Sequence, residues 1–132
     1  MAKVTPCFEN EKSGIARDLK NGIGFGSSEF YVLRATNEVL PEWLYLHIAS
    51  CSFINAGKLR MTGTGGLQRV PKDFISMWPI SLPDFGTQKM IVAEIEHEQR
   101  LVDASKELIG LFEAKIKTTI GRVWGDSEPA PT

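Results

Sequence analysis

A chain of 132 residues with 42% hydrophobic and 23% charged side chains is one domain's worth of ordinary globular material. No window approaches the roughly 18 uninterrupted apolar residues that a membrane span requires, and Met1 to Cys7 lacks the apolar core of a secretion signal, which argues against membrane insertion and makes the cytoplasm the expected compartment. The net charge of −1 hides a division. Residues 1 to 83 hold nine Lys+Arg against seven Asp+Glu, and residues 84 to 132 hold six against nine; no acidic residue occurs between Glu42 and Asp73, where Lys58, Arg60, Arg69 and Lys72 all fall. Such a gap in negative charge suits a polyanionic partner.

In chain order, Ala2 to Phe8 holds the β-favouring Val4, Thr5 and Phe8 and reads as a short strand stopped near Asn10. Residues 10 to 28, with Gly14, Gly22, Gly24 and Gly26 among polar side chains, read as an extended loop. Glu29 to Ala35 is dense in aromatic and branched residues and reads as a buried strand. Pro41 then opens a helix whose apolar stripe runs through Trp43, Leu44, His47, Ile48 and Cys51 and packs on the sheet. Met61 to Arg69 carries three glycines in the four positions Gly63 to Gly66 and must be a loop. Val70 to Phe74 reads as a turn or short helix, and Trp78 to Pro83 as an edge strand bracketed by prolines.

From Gln88 to Val123 there is no proline, and positions 91, 95, 98, 102, 105, 109, 112, 116, 119 and 123 alternate by four and three. Seven of these ten are apolar (Ile91, Ile95, Val102, Ile109, Phe112, Ile116 and Val123), while Glu98, Ser105 and Thr119 interrupt the second row. That is the pattern of a coiled-coil seam with one strong and one weaker row. The segment after Asp126, with Pro129 and Pro131, reads as a disordered tail. The expected fold class is therefore α+β, a small mixed α/β head followed by one long coiled-coil-forming helix.

Parts for catalysis are lacking. Cys7 and Cys51 stand outside any Cys-x-x-Cys pair and read as small buried hydrophobes. His47 and His97 fit no metal-ligand spacing. Gly22-Ile23-Gly24-Phe25-Gly26 has Ser27 where a dinucleotide fingerprint needs glycine, and Gly63 to Arg69 lacks the Gly-Lys-Ser/Thr ending of a phosphate loop. Glu94, Glu96 and Glu98 read as a solvated helix face rather than an acid/base set. No metal, no cofactor and no enzymatic activity are expected.

Four stretches, in order, resemble the specificity subunits of type I restriction-modification enzymes. Ala2-Lys3-Val4-Thr5-Pro6-Cys7-Phe8-Glu9-Asn10 with Lys12 is similar to an Ala-Lys-Ile-Thr-Pro-Cys-Phe-Glu-Asn-Gly-Lys segment midway through their recognition domains. Gly24 to Phe30 is similar to a Gly-Ser-Thr-Glu-Phe stretch. Met61 to Val70 resembles the polar glycine loop before Pro-Lys-Asp-Phe, here Pro71 to Phe74. Pro79-Ile80-Ser81-Leu82-Pro83, leading into Gln88, Ile91 and Val92, resembles the junction that begins the family's spacer helix. At that junction Ser81 replaces a proline and Thr87 a glutamate, and Thr87 is expected to serve as the helix N-cap.

The resemblance implies a partial target recognition domain over residues 1 to 86, lacking the amino-terminal part of the family's domain, and a spacer helix over 87 to 125, followed by the tail, 126 to 132. It further implies a non-catalytic specificity subunit that reads double-stranded DNA and recruits methyltransferase and restriction subunits. On that reading Lys58, Arg60, Arg69 and Lys72 contact phosphates, and Thr62, Thr64 and Gln68 reach base edges. The plainer alternative is that the glycine loop is a connector and its cations are merely solvated. A second reading makes the chain an assembly module without independent DNA recognition, pairing through Ile91, Ile95, Val102, Ile109, Phe112, Ile116 and Val123 with another specificity fragment or a second copy of itself.

Overall fold

The computed structural model describes residues 1 to 125; the tail expected to be disordered lies outside the described residues. The chain divides into two compact units, Met1–Val92 and a second that starts at Ala93. No helix among the described residues is long and apolar enough to cross a membrane.

The architecture is helix-rich, with α1 (Pro41–Ile48), α2 (Cys51–Arg60), α3 (Lys72–Ser76) and the long α4 (Phe85–Trp124). The expected strands are present only in trace. Among the described residues the pairing consists of isolated antiparallel bridges, Ala2 to Phe30, Val4 to Arg69 and Thr62 to Arg69. The cause is visible in the first segment. After Val4 the chain coils into a turn, with the Phe8 amide donating to Val4 O and the Asn10 amide to Pro6 O. Pro6 has no N–H to give to a ladder. Phe8 thus reaches the core from a turn and not from a strand. In the segment 78–83, Pro79 and Pro83 likewise cannot donate, and Ser81 O accepts instead from the indole Nε1–H of Trp43 at 2.9 Å.

The helix opened by Pro41 also stops earlier than its stripe predicts, at Ile48. Ser50 explains the break, because its hydroxyl donates to His47 O at 2.8 Å and accepts from the Phe53 amide at 3.3 Å, closing α1 and N-capping α2. Cys51 accordingly begins a new helix and is exposed, and Cys7 is half-buried, so neither is the buried hydrophobe expected.

The core of the first unit is Phe8, Phe53, Ile54 and Val70, with Ile48, Phe74, Ile75 and Trp78 packed around them. Phe53 is its centre. Its ring lies 6.1 Å from Phe8, 5.2 Å from Phe74 and 5.3 Å, edge-on at 89°, from Trp78, the tilted and T-shaped separations favoured by aromatic quadrupoles. Gly57, one turn after Phe53, is buried, and the rings of Phe8 and Phe74 occupy the space where a side chain would stand.

The start of α4 is anchored in the same unit. Asp84, and not Thr87, is its N-cap: Asp84 Oδ1 accepts from the Thr87 amide at 3.0 Å, and the Thr87 hydroxyl donates to Oδ2 at 2.5 Å. A carboxylate outcompetes a hydroxyl for that place because it also complements the positive end of the helix dipole. The bonds from Thr87 hold the Asp84 carboxyl below its ordinary range. Gln88 is fully buried, with Nε2 donating to Glu38 O at 2.8 Å and Pro83 O at 2.9 Å, while Oε1 accepts from the Leu40 amide at 3.0 Å. Both amide hydrogens and the carbonyl oxygen of that side chain are engaged, which is what burial of a carboxamide requires.

Candidate nucleic-acid interface

The seven residues expected to meet DNA all lie in the first unit, on one continuous stretch from the end of α2 to the start of α3. Lys58 and Arg60 occupy the last turn of α2, where cations also complement the helix dipole. Lys72 opens α3. All three are exposed.

The glycine segment between them is more ordered than a connector needs to be. Thr62 and Arg69 exchange both backbone hydrogen bonds, at 3.0 and 2.8 Å, and the Leu67 amide donates to Thr64 O at 3.3 Å. Gly65 and Gly66 sit at the tip with φ of +65° and +80°, the pair of positive values that a tight two-residue hairpin turn of type I′ demands. Gly63 has φ of +142°, and a Cβ there would come within 3.0 Å of Gln68 Cα and closer still to Leu67 O. The segment is a β-hairpin whose two legs touch where Gly63 has no side chain. Thr62, Thr64 and Gln68 are exposed on it, and their side chains make no hydrogen bond among the described residues.

Two residues outside the predicted set hold this hairpin. Thr5 docks it, its hydroxyl donating to Gly66 O at 2.6 Å and accepting from the Gln68 amide at 3.1 Å, while its own amide donates to Gln68 O at 2.9 Å. Glu29 takes a bidentate ion pair from Arg69, with Nε to Oε2 at 2.9 Å and Nη2 to Oε1 at 2.7 Å. The bonds from Arg69, reinforced by the charge of Lys3, hold the Glu29 carboxyl below its ordinary range, and the same pair raises Arg69. Of the four cations in the acid-free stretch, Arg69 is therefore neutralised within the chain. No sequence spacing announces these partners, since Thr5 and Glu29 lie 61 and 40 residues from the groups they bind.

The seam residues stand differently. Ile91 is half-buried in the first unit, beside the buried Val92, whereas Ile95, Val102, Ile109, Phe112, Ile116 and Val123 of the second unit are all exposed. Leu101, Leu108 and Ile120, which flank the seam on the helix surface, are exposed as well and widen the stripe beyond the expected two rows.

Among the described residues, no three His, Cys, Asp or Glu side chains converge as metal ligands. An open cleft of about 300 Å³ in the first unit is lined by Leu44, Ile48, Phe53, Ile75, Trp78 and neighbouring apolar groups, with Arg34 as its charged member.

The chain is 38% identical over 104 residues to the EcoAI specificity subunit and, to the same extent, to the EcoEI specificity subunit, both of type I restriction enzymes from Escherichia coli. Each match covers 78% of this chain and 18% of the relative. No protein-family model and no solved structure matches. Over most of its length the chain is therefore similar to a segment of these type I restriction enzyme specificity subunits, and it spans less than a fifth of their length.

Proposed function

We propose that the chain serves sequence-specific DNA recognition as part of the specificity subunit of a type I restriction-modification system, acting in the cytoplasm and directing separate methyltransferase and nuclease subunits. The observation that carries this reading is the 38% identity to two specificity subunits across 104 residues. The site supports it in physical terms. Lys58, Arg60 and Lys72 have no acidic partner among the described residues and flank an ordered hairpin that presents two hydroxyls and one carboxamide. Cations of this kind supply phosphate affinity and register, and a carboxamide is suited to the N6 and N7 edge of adenine. The paired glycines of the tip let backbone approach a groove wall closely. The chain performs no catalysis in this reading; methyl transfer and cleavage belong to the partner subunits.

Fluorescence anisotropy with random-sequence duplex DNA tests the proposal. Replacing Lys58, Arg60 and Lys72 together with Ala removes three phosphate contacts, so the dependence of log affinity on log salt should flatten by about three, with a loss of tenfold or more at low salt on the order expected for counterion release. Equal binding by wild type and triple variant sinks the assignment of this surface.

A second reading has an observation of its own. The exposed apolar stripe of the second unit is longer than soluble monomers usually leave uncovered, which supports pairing of this helix with another specificity fragment or a second copy. As an assembly module the chain would need no DNA contact. DNA binding that is lost in the triple variant while association persists favours the first reading, and association without any DNA binding favours the second.

A further inference from the structure

Thr5, Glu29 and Arg69 are not among the DNA contacts proposed above, yet their bonds converge on the hairpin. We propose that they are positioning residues for DNA reading: Thr5 and the Glu29–Arg69 pair hold the hairpin in one conformation, and Arg69 acts on the hairpin through Glu29 instead of on a phosphate. The inference rests on the DNA-recognition reading and adds to it how the reading element is fixed.

The geometry gives each partner a separate task. Thr5 binds both sides of the tip, its hydroxyl accepting from the amide of Gln68 on the returning leg and donating to the carbonyl of Gly66 at the turn, while its backbone amide donates to Gln68 O. Gln68 is thereby held at both of its peptide groups and its side chain is left free. Arg69, the next residue, is pinned to Glu29 through two parallel bonds, and its backbone is paired to Thr62 and bridged to Val4. Immediately after it, the Val70 amide donates to Lys3 O and the Val70 carbonyl accepts from the Tyr31 hydroxyl at 3.0 Å, with the Val70 side chain fully buried.

The returning leg is thus tied at three successive residues to two other parts of the chain, the segment around Lys3–Thr5 and the segment around Glu29–Tyr31. A glycine-rich hairpin has unusually large conformational freedom to lose on binding. Restraints of this kind remove that loss before DNA arrives, which is how preorganisation raises affinity without adding a contact. A guanidinium already spent on a carboxylate in fork geometry would have to break both bonds to reach a phosphate.

A double-mutant cycle on the whole chain separates positioning from phosphate contact. Glu29→Gln, Arg69→Gln and the double variant are measured against random-sequence duplex DNA across a salt series, beside Thr5→Val and Thr5→Ser. The inference predicts that Glu29→Gln, Arg69→Gln and their combination all weaken binding by the same amount, about fivefold for loss of one charged interaction, with the salt slope unchanged. Thr5→Val weakens binding similarly, and Thr5→Ser, which keeps the hydroxyl, retains wild-type affinity. Amide exchange at Leu67 and Arg69 should quicken in the weakened variants and not in Thr5→Ser. Tighter binding by Glu29→Gln, or a slope lower by about one in Arg69→Gln alone, overturns the inference and returns Arg69 to the phosphates. Wild-type binding that Thr5→Val and Glu29→Gln leave unchanged overturns the inference alone, whereas a wild type that binds no duplex DNA overturns the recognition reading and the inference with it.

Discussion

Two glycines on helices should respond to the same substitution with opposite sign. Gly57 is buried in α2, and an ideal Cβ there would lie 2.8 Å from Phe8 Cε1 and 3.2 Å from Phe74 Cε1, with Phe8 Cζ nearer still. Helix propensity alone would make Ala about 1 kcal/mol better than Gly. Against this, a methyl group forced between fixed rings costs about 1–3 kcal/mol in a packed core. Phe8 is fully buried and its ring is tilted against Phe53, so it has no solvent side to retreat into, and the steric cost should win by about 1 kcal/mol. Gly110 of α4 has nothing within 4 Å of the same ideal Cβ, so Gly110→Ala should gain about 0.5–1 kcal/mol. Thermal unfolding followed by fluorescence of Trp43 and Trp78 for the first unit, and by far-ultraviolet circular dichroism for the helix, should show a midpoint about 5 °C lower for Gly57→Ala and increased helicity for Gly110→Ala. A Gly57→Ala protein as stable as wild type would show that the aromatic packing around α2 is wrong.

Gln88→Leu should be costly despite its conservative volume, because it strands the Leu40 amide and the Glu38 and Pro83 carbonyls; a loss of about 2–3 kcal/mol in a urea titration is expected, and a neutral result would argue against the buried amide clasp. The carboxyls of Asp84 and Glu29 are both held below their ordinary values of 3.8 and 4.5. Their ionised forms therefore favour the folded state above those ordinary values, and the contribution disappears as pH falls through the lowered ones. Acid titrations of Asp84→Asn and Glu29→Gln should show a shallower fall in stability in that acidic window, with no change in slope near neutrality. On the helix, Ile109→Glu puts a charge in the middle of the exposed seam and should shift sedimentation toward the monomer without altering the fluorescence of the first unit; a wild type already monomeric at hundreds of micromolar removes the case for pairing.

The long helix was legible because a period repeated over many turns needs no tertiary context, and so was the turn-forming character of Gly63 to Gly66. The strands were not. Val4, Thr5 and Phe8 have β-favouring side chains, but Pro6 breaks the ladder, and propensity says nothing about whether a partner strand is there to pair with. The Ser50 break was readable in principle as an N-cap following a helix, yet the apolar stripe through Cys51 concealed it. At the candidate interface, residue types and charge gave a glycine loop and its cations, while the hairpin pairing of that loop came from the fold. Charge counting could not show that Arg69 is already paired, because Glu29 lies outside the acid-free stretch and is brought to it by the fold alone. The same holds for Thr5, whose role depends on two backbone groups that carry no sequence signature.

On the proposed function, DNA meets the face formed by the end of α2, the hairpin and the start of α3. Hydrogen exchange of the protein with and without saturating duplex DNA reads that contact out by position. Protection concentrated in peptides spanning residues 58 to 72, with the helix from Ala93 to Trp124 unchanged, is the predicted footprint. Protection confined to that helix, or spread with no gain at the hairpin, would contradict it.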